Sequence, residues 1–260
     1  ERLPNLKIVS SYGVGYDAID ANFAVSKNIT VTHTPDVLND EVADTAIMLW
    51  LATYRNLIQA DQWVRTGNWE KEGAFPLSKT VQKQKVGILG LGRIGETIAK
   101  RVKAFDAEVH YHSRSKKNNN YQFHASPKEL AKNVDVLFII TPGGNETKHL
   151  VDASVLKALG TSGTLINISR GSVVDEKALI KALQTGTIGA AGLDVFDAEP
   201  VVPNELKNMP NVILTPHVGS ATNETRQAMG DLTCDNLLSF FKTGQVLTPV
   251  PECLKLNVQR

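Results

Sequence analysis

Val86-Gly87-Ile88-Leu89-Gly90-Leu91-Gly92-Arg93-Ile94-Gly95 puts a short apolar run in front of a G-x-G-x-x-G loop, with a helical pattern opening behind it. This strand–loop–helix context is what the motif needs in order to carry meaning. Gly90 permits the tight turn, Gly92 lets the backbone approach a pyrophosphate, and Gly95 lets helix and sheet pack closely. The N-terminus of the following helix attracts phosphate charge. The stretch reads as a dinucleotide site; a strand–helix turn without a ligand would use the same glycines.

Working outward, short apolar strands alternate with helical segments after the polar stretch Lys79 to Lys85. Strands are predicted at 86–89, 108–112, 134–140, 164–168, 190–195 and 211–214, with helices at 94–105, 126–132, 153–159 and 176–184. This alternation predicts an α/β fold, a doubly wound, mostly parallel sheet with helices on both faces. Functional residues then belong at the C-terminal ends of the strands. No repeat of fixed period interrupts the pattern, and Asn118-Asn119-Asn120 reads as a surface loop.

Upstream, Lys7-Ile8-Val9-Ser10 reads as a strand, Tyr12-Gly13-Val14-Gly15 as a glycine turn, then a short helix and a strand at Thr30-Val31-Thr32. That is too little sheet to stand alone. Over 39–65, apolar residues fall at nearly every angle of a helical wheel, among them Val42, Ala43, Ala46, Ile47, Leu49, Trp50, Leu51, Tyr54 and Ile58. A helix apolar all round needs cover on more than one side. A single packing or homodimer helix is expected here, in preference to one buried within its own chain.

The 260 residues are 42% hydrophobic with 19 glycines, and 28 Lys+Arg against 27 Asp+Glu leave a net charge of +1. This is ordinary globular usage without a broad electrostatic footprint for nucleic acid or an anionic membrane. The longest apolar run, Ala46 to Ala52, is far short of the roughly 20 residues of a spanning helix. Cys234 and Cys253 have no metal-ligand spacing, so no metal and no disulfide is expected, and a cytoplasmic location follows. Glu1-Arg2-Leu3-Pro4-Asn5-Leu6 shows neither an initiator methionine nor a signal pattern, and a truncated N-terminus is expected.

The second strand of a dinucleotide site normally ends in Asp or Glu, which binds the ribose hydroxyls of NAD. Here Val109-His110-Tyr111-His112 runs into Ser113-Arg114-Ser115-Lys116-Lys117. Hydroxyls and a guanidinium in place of the carboxylate favour a 2′-phosphate, so NADP(H) is predicted over NAD(H). A solvated basic loop is the plain alternative.

Three later strands end in polar residues: Ile166-Asn167-Ile168-Ser169-Arg170-Gly171, Gly192-Leu193-Asp194-Val195-Phe196-Asp197-Ala198-Glu199-Pro200, and Leu214-Thr215-Pro216-His217-Val218-Gly219. Hydride transfer to a 2-oxo acid needs a cation for the carboxylate, a proton donor for the forming alkoxide, and a carboxylate that favours the imidazolium form of that donor. Arg170, His217 and Glu199 are these types. Singly each has a structural explanation, and His33, His110, His112, His124 and His149 are read as structural histidines.

With these motifs in hand, the chain resembles the D-isomer-specific 2-hydroxyacid dehydrogenase family. The segment from Thr164 to Leu179 is similar to the family signature, as are the glycine loop, Asp197-Ala198-Glu199-Pro200 and Pro216-His217-Val218-Gly219-Ser220. The resemblance implies catalytic roles for Arg170, Glu199 and His217. It implies cofactor contacts at Gly90, Leu91, Gly92, Arg93, Ile94 and Gly95, at Ser113, Arg114 and Ser115, at Thr141 and Pro142, and at Ile168, Ser169 and Asp194. Ser10-Ser11-Tyr12-Gly13-Val14-Gly15 is similar to the substrate loop, where backbone N–H groups near Val14 and Gly15 bind the substrate carboxylate. The Ser-Arg-Ser segment together with Ser11-Tyr12-Gly13-Val14-Gly15 resembles the glyoxylate/hydroxypyruvate reductase branch, particularly plant hydroxyphenylpyruvate reductases.

The implied organisation is a remnant of a flavodoxin-like substrate domain at 1–36, an NADP-binding Rossmann-like domain with the dimer helix at 37–221, a return to the substrate domain at 222–250, and a tail at 251–260. Family members carry roughly sixty further N-terminal residues, and the tail from Leu254 is expected to be disordered. The implied activity is NADPH-dependent reduction of a small 2-oxo acid of the hydroxypyruvate, glyoxylate or 4-hydroxyphenylpyruvate type. The alternative is a non-catalytic NADP(H)-binding scaffold or an inactive truncated form of the same fold.

Overall fold

The computed structural model describes residues 3–258. They fall into two compact units, one running up to Glu41 and resuming at Ser220, the other spanning Val42–Gly219.

In the first unit β1 (Ile8–Ser10), α1 (Ala21–Ser26) and β2 (Thr30–Thr32) form a parallel two-stranded pair with its connecting helix, in the register Ile8↔Thr30 to Ser10↔Thr32. The Asp20 carboxylate accepts from the Phe23 N–H at 2.8 Å and caps α1. Ala21, Ala24, Val31, Val250 and Cys253 make one small core, and Ile8, Phe240 and Val246 another.

The second unit begins inside α2 (Asn39–Tyr54) and continues through α3 (Leu57–Arg65) and α4 (Asn68–Glu72) into the sheet. Its strands are β3 (Lys85–Leu89), β4 (Glu108–His112), β5 (Gln122–Phe123), β6 (Val136–Ile139), β7 (Thr164–Asn167), β8 (Ala190–Leu193) and β9 (Val212–Leu214). They lie in the order β5-β4-β3-β6-β7-β8-β9, every pair parallel. The helices between them are α5 (Arg93–Val102), α6 (Pro127–Lys132), α7 (Ala153–Leu159), α8 (Glu176–Gln184) and α9 (Asn204–Lys207). Val136-Leu137-Phe138-Ile139 is buried at every position, as a central parallel strand covered on both faces must be. Asp152 and Asp175 cap α7 and α8 by accepting N–H groups of their first turns. The chain then re-enters the first unit through α10 (Asn223–Thr243) and α11 (Leu254–Val258).

The fold is the expected doubly wound α/β sheet, with local differences. The single helix expected over 39–65 is two helices, broken at Arg55-Asn56, where Asn56 takes the left-handed conformation at φ 48°. In α2, Ala43, Ala46, Leu49 and Trp50 have no exposure, so their cover comes from this chain, whereas α3 buries no residue and leaves Leu57, Ile58 and Val64 about half exposed. The helix expected over 94–105 ends as α-helix at Val102 and closes with a 3-10 turn, Lys103–Phe105, before Asp106 at φ 55°. Strand β5 was not expected, because two residues inside a polar loop carry no periodic signal. Leu254–Val258 is helical where disorder was expected; Gln259 and Arg260 lie outside the described residues. Among the described residues no helix is long and apolar enough to cross a membrane, and no side-chain group is suited to a metal ion.

Candidate functional site

Strands β3 and β6 are neighbours, with β4 and β5 continuing the sheet on one side and β7 to β9 on the other. The strand order reverses there, which opens a crevice at the strand C-termini. The glycine loop stands at its mouth. Gly90, at φ 105°, donates its N–H to the His112 carbonyl at 2.9 Å, and a Cβ on it would sit 2.8 Å from the Ile140 oxygen and 2.9 Å from the Thr141 nitrogen. A Cβ on Gly95 would run into the Gly90 carbonyl oxygen. At Gly92, the N-cap of α5, a Cβ would meet nothing within 4 Å, and no side chain caps the helix. Two glycines therefore shape the turn while the third leaves open space at a helix N-terminus. Beside the loop, the Thr141 hydroxyl is buried without a hydrogen-bond partner. These residues fit a dinucleotide pyrophosphate.

The remaining expected cofactor residues lie in the glycine loop or follow β4, β6, β7 and β8 in the same sheet. Leu91 is 1% exposed, so its side chain belongs to the core and only its backbone is available to a ligand. Arg93 and Pro142 are exposed; Ile94 and Thr141 are half-buried. Ser113, Arg114 and Ser115 follow β4 directly, with the Ser113 hydroxyl donating to the Ser115 carbonyl at 2.7 Å. Ile168 and Ser169 are buried, and the Ser169 N–H donates to Asn167 Oδ1 at 3.1 Å.

Arg170, Glu199 and His217 come from the ends of β7, β8 and β9, consecutive strands of the sheet. Arg170 donates through Nη1 to the Ser169 carbonyl at 2.8 Å. Its neighbour Gly171 lies against the backbone of Phe196 and Asp197, so tightly that a Cβ would overlap the Phe196 carbonyl, which joins the arginine turn to the glutamate loop. Glu199 Oε1 accepts from the Phe196 N–H at 3.0 Å, and Oε2 lies 2.7 Å from His217 Nδ1. With Nδ1 held, Nε2 is the ring nitrogen able to offer a proton outward. Glu176 Oε2 accepts from the Asp197 N–H at 3.2 Å, and burial pushes the Glu176 carboxyl up from its ordinary range. A cavity of about 110 Å³ adjoins the pair, lined by Phe196, Pro200, Val202 and Pro216 as well as Glu199 and His217.

His217 sits at φ 54°, a left-handed conformation that costs a non-glycine residue energy unless its surroundings enforce it. Asp194 does so. This 1%-exposed carboxylate accepts from the Thr215 hydroxyl at 2.7 Å, the Val218 N–H at 2.8 Å and the Gly219 N–H at 2.9 Å. Sequence reasoning placed Asp194 with the cofactor residues and did not find this role, nor those of Gly171 and Glu176. The only available signal was a carboxylate in an apolar strand, which implies partners without naming them.

In the first unit Val14 and Gly15 follow β1, where the Val14 carbonyl accepts from His33 Nδ1 at 3.0 Å and the Gly13 carbonyl from the Thr34 N–H at 2.8 Å. His33 is thus a structural histidine of that turn. His110 and His124 are buried and stacked, their ring nitrogens 2.8 Å apart, and His112 Nδ1 donates to the His124 carbonyl at 2.9 Å.

Residues 47–219 match the family model described as D-isomer specific 2-hydroxyacid dehydrogenase, NAD binding domain. The chain belongs to this family. Within the 2-hydroxyacid dehydrogenase match lie the glycine loop and the Arg170, Glu199 and His217 strand ends; Val14 and Gly15 lie outside it. This dehydrogenase is 51% identical over 249 residues to glyoxylate/hydroxypyruvate reductase A of Arabidopsis thaliana, covering 95% of this chain and 79% of that protein. It is 49% identical over 251 residues to hydroxyphenylpyruvate reductase of Plectranthus scutellarioides, covering 96% and 80%. Among solved structures, the NADPH-dependent glyoxylate/hydroxypyruvate reductase of Sinorhizobium meliloti in complex with NADP and malonate superposes with a TM-score of 0.94 at 52% identity, covering 96% of this chain and 79% of that one. The enzyme is an oxidoreductase built on an NAD(P)-binding domain.

Proposed function

We propose that this dehydrogenase reduces small 2-oxo acids of the hydroxypyruvate, glyoxylate or 4-hydroxyphenylpyruvate type to D-2-hydroxy acids with NADPH. The observation that carries the reading is the 2.7 Å contact between Glu199 and His217 on the rim that also bears Arg170. The bound nicotinamide supplies the hydride. Arg170 binds the substrate carboxylate and polarises the carbonyl, and His217 Nε2 delivers a proton to the developing alkoxide. Glu199 orients the imidazole and favours its protonated form. Within the first unit, the N–H groups of Val14 and Gly15 are assigned to substrate carboxylate binding.

The Ser113-Arg114-Ser115 segment supports NADPH over NADH, as does the NADP bound in the Sinorhizobium relative. Asp194, with acceptor capacity left on Oδ2, is assigned to the cofactor in addition to the His217 turn. Residues 37–221 are assigned to the cofactor and 1–36 with 222–250 to the substrate. The half-exposed Leu57, Ile58 and Val64 support a homodimer through α2 and α3, and a cytoplasmic location completes the reading. A scaffold would not need the Glu199–His217 pair.

The test is NADPH oxidation with hydroxypyruvate, glyoxylate and 4-hydroxyphenylpyruvate, alongside fluorescence titrations with NADPH and NADH. Turnover of at least one acid with tighter NADPH binding is expected. Cofactor binding without turnover of any of them would leave the scaffold reading standing instead.

A further inference from the structure

Tyr111 is fully buried in β4, opposite Ile88 of β3 and Phe123 of β5, with its ring 5.4 Å from that of Phe123. Its hydroxyl does not bond within the core. It accepts from the Lys117 N–H at 2.8 Å and donates to the Lys117 carbonyl at 3.4 Å. Between these residues lies Ser113-Arg114-Ser115-Lys116, and from Ser113 to Asn120 the loop has no apolar side chain with which to hold itself to the protein. Its other ties include the Ser113–Ser115 hydrogen bond, the Asn119 N–H to the Lys117 carbonyl at 3.1 Å, the Tyr121 N–H to Asn119 Oδ1 at 3.0 Å, and Lys103 Nζ 4.8 Å from the centre of the Tyr121 ring. A guanidinium on an untethered loop loses affinity to ordering; one on a loop pinned to the sheet is preorganised.

We infer that Tyr111 is a positioning residue for cofactor selectivity: from inside the core its hydroxyl pins the loop at Lys117, so that Ser113, Arg114 and Ser115 are set to receive a phosphate monoester at the 2′ position of the adenosine. The inference rests on reading those three residues as the 2′-phosphate segment. Adenosine, pyrophosphate and nicotinamide, common to both cofactors, are left to other residues. Losing one such hydrogen bond corresponds to about a five-fold weakening of the phosphate-bearing ligand.

Three binding titrations test this without turnover, using NADPH, NADH and 2′,5′-ADP against the full chain and its Tyr111→Phe variant. Tyr111→Phe is expected to raise the Kd of NADPH and 2′,5′-ADP about five-fold and leave that of NADH in place. In the cofactor-free protein it is expected to speed amide exchange at Lys117. Lys117→Pro, which removes the same N–H from the loop side without touching the core, should reproduce the selective loss. In an Arg114→Ala background, itself expected to weaken NADPH selectively, Tyr111→Phe should add little. Equal weakening of NADPH and NADH, no change in either, or full additivity with Arg114→Ala overturns the positioning role alone. A parent chain without preference for NADPH overturns the reading of Ser113–Ser115, and the inference with it.

Discussion

The His217 N–H donates to the Asp194 carbonyl at 2.9 Å, so the residue just after β8 holds the turn that follows β9. With the three hydrogen bonds to the Asp194 carboxylate, the link over-determines residues 215–219 and keeps His217 in its left-handed conformation with Nδ1 against Glu199.

Asp194→Asn replaces an acceptor-only group with one that also presents donors to backbone N–H groups. A buried site left this way is expected to lose about 2–3 kcal/mol of stability. Urea denaturation of the two proteins measures it, and equal midpoints with equal slopes would show that the turn does not depend on the carboxylate.

His217→Ala is expected to lower kcat by about 100- to 10,000-fold with little change in NADPH affinity, as removal of a general acid does. Glu199→Gln keeps the shape but not the charge, and a smaller loss in the same direction is expected. Steady-state kinetics with cofactor titrations decide; a His217→Ala enzyme with normal kcat would place the proton donor elsewhere.

The glycine loop separates shape from ligand. Gly92→Ala has open space for its methyl group, so it should fold with an ordinary melting temperature but bind cofactor at least about ten-fold more weakly, through loss of close backbone approach. Gly95→Ala drives a methyl group into the Gly90 carbonyl and should destabilise the fold by about 1–3 kcal/mol or more. Melting curves and titrations of both variants are the check, and the same behaviour from both would refute the division.

Burial holds the His110 imidazole below its ordinary pKa, opposed by Glu108 at 3.0 Å and reinforced by His124 and Lys85. Glu129 stands 3.7 Å from the far side of His124. A histidine depressed in the folded state contributes nothing unfavourable above its unfolded pKa of about 6.5. As pH falls below that value the unfolded chain binds the proton more readily, and stability declines toward the depressed folded value. Denaturation midpoints between pH 8 and pH 5 should therefore fall in the acidic half. His110→Gln should flatten the slope, and an unaltered slope would remove His110 as its source.

Leu57, Ile58 and Val64 face solvent on α3, with Trp69 of α4 63% exposed nearby in sequence. Light scattering should give twice the 28.3 kDa chain mass, and Ile58→Asp should shift the protein toward monomer. A monomeric parent at micromolar concentration would count against the homodimer.

The doubly wound sheet was legible because its signals are local. Strand periodicity, the glycine spacing after Leu89 and the helix caps each depend on residues within a few positions of one another. The candidate Arg170, Glu199 and His217 set was legible for a related reason, since parallel topology sends every strand end to one rim. The break at Asn56 and the short β5 were not, because a left-handed residue inside an apolar helical pattern and a two-residue strand in a polar loop leave no periodic trace.

From sequence alone come the fold class, the dinucleotide crevice and the list of chemically suited residues, all consequences of short-range pattern and composition. Tertiary structure alone decided that Glu199 meets His217 across eighteen residues, that Asp194 holds the histidine turn, that His110 stacks on His124, and that Tyr111 reaches Lys117. Such pairings are set by strand order and loop path. Many partners satisfy a buried carboxylate, imidazole or phenol equally well in chemical terms, and only the folded backbone brings one of them within hydrogen-bond distance.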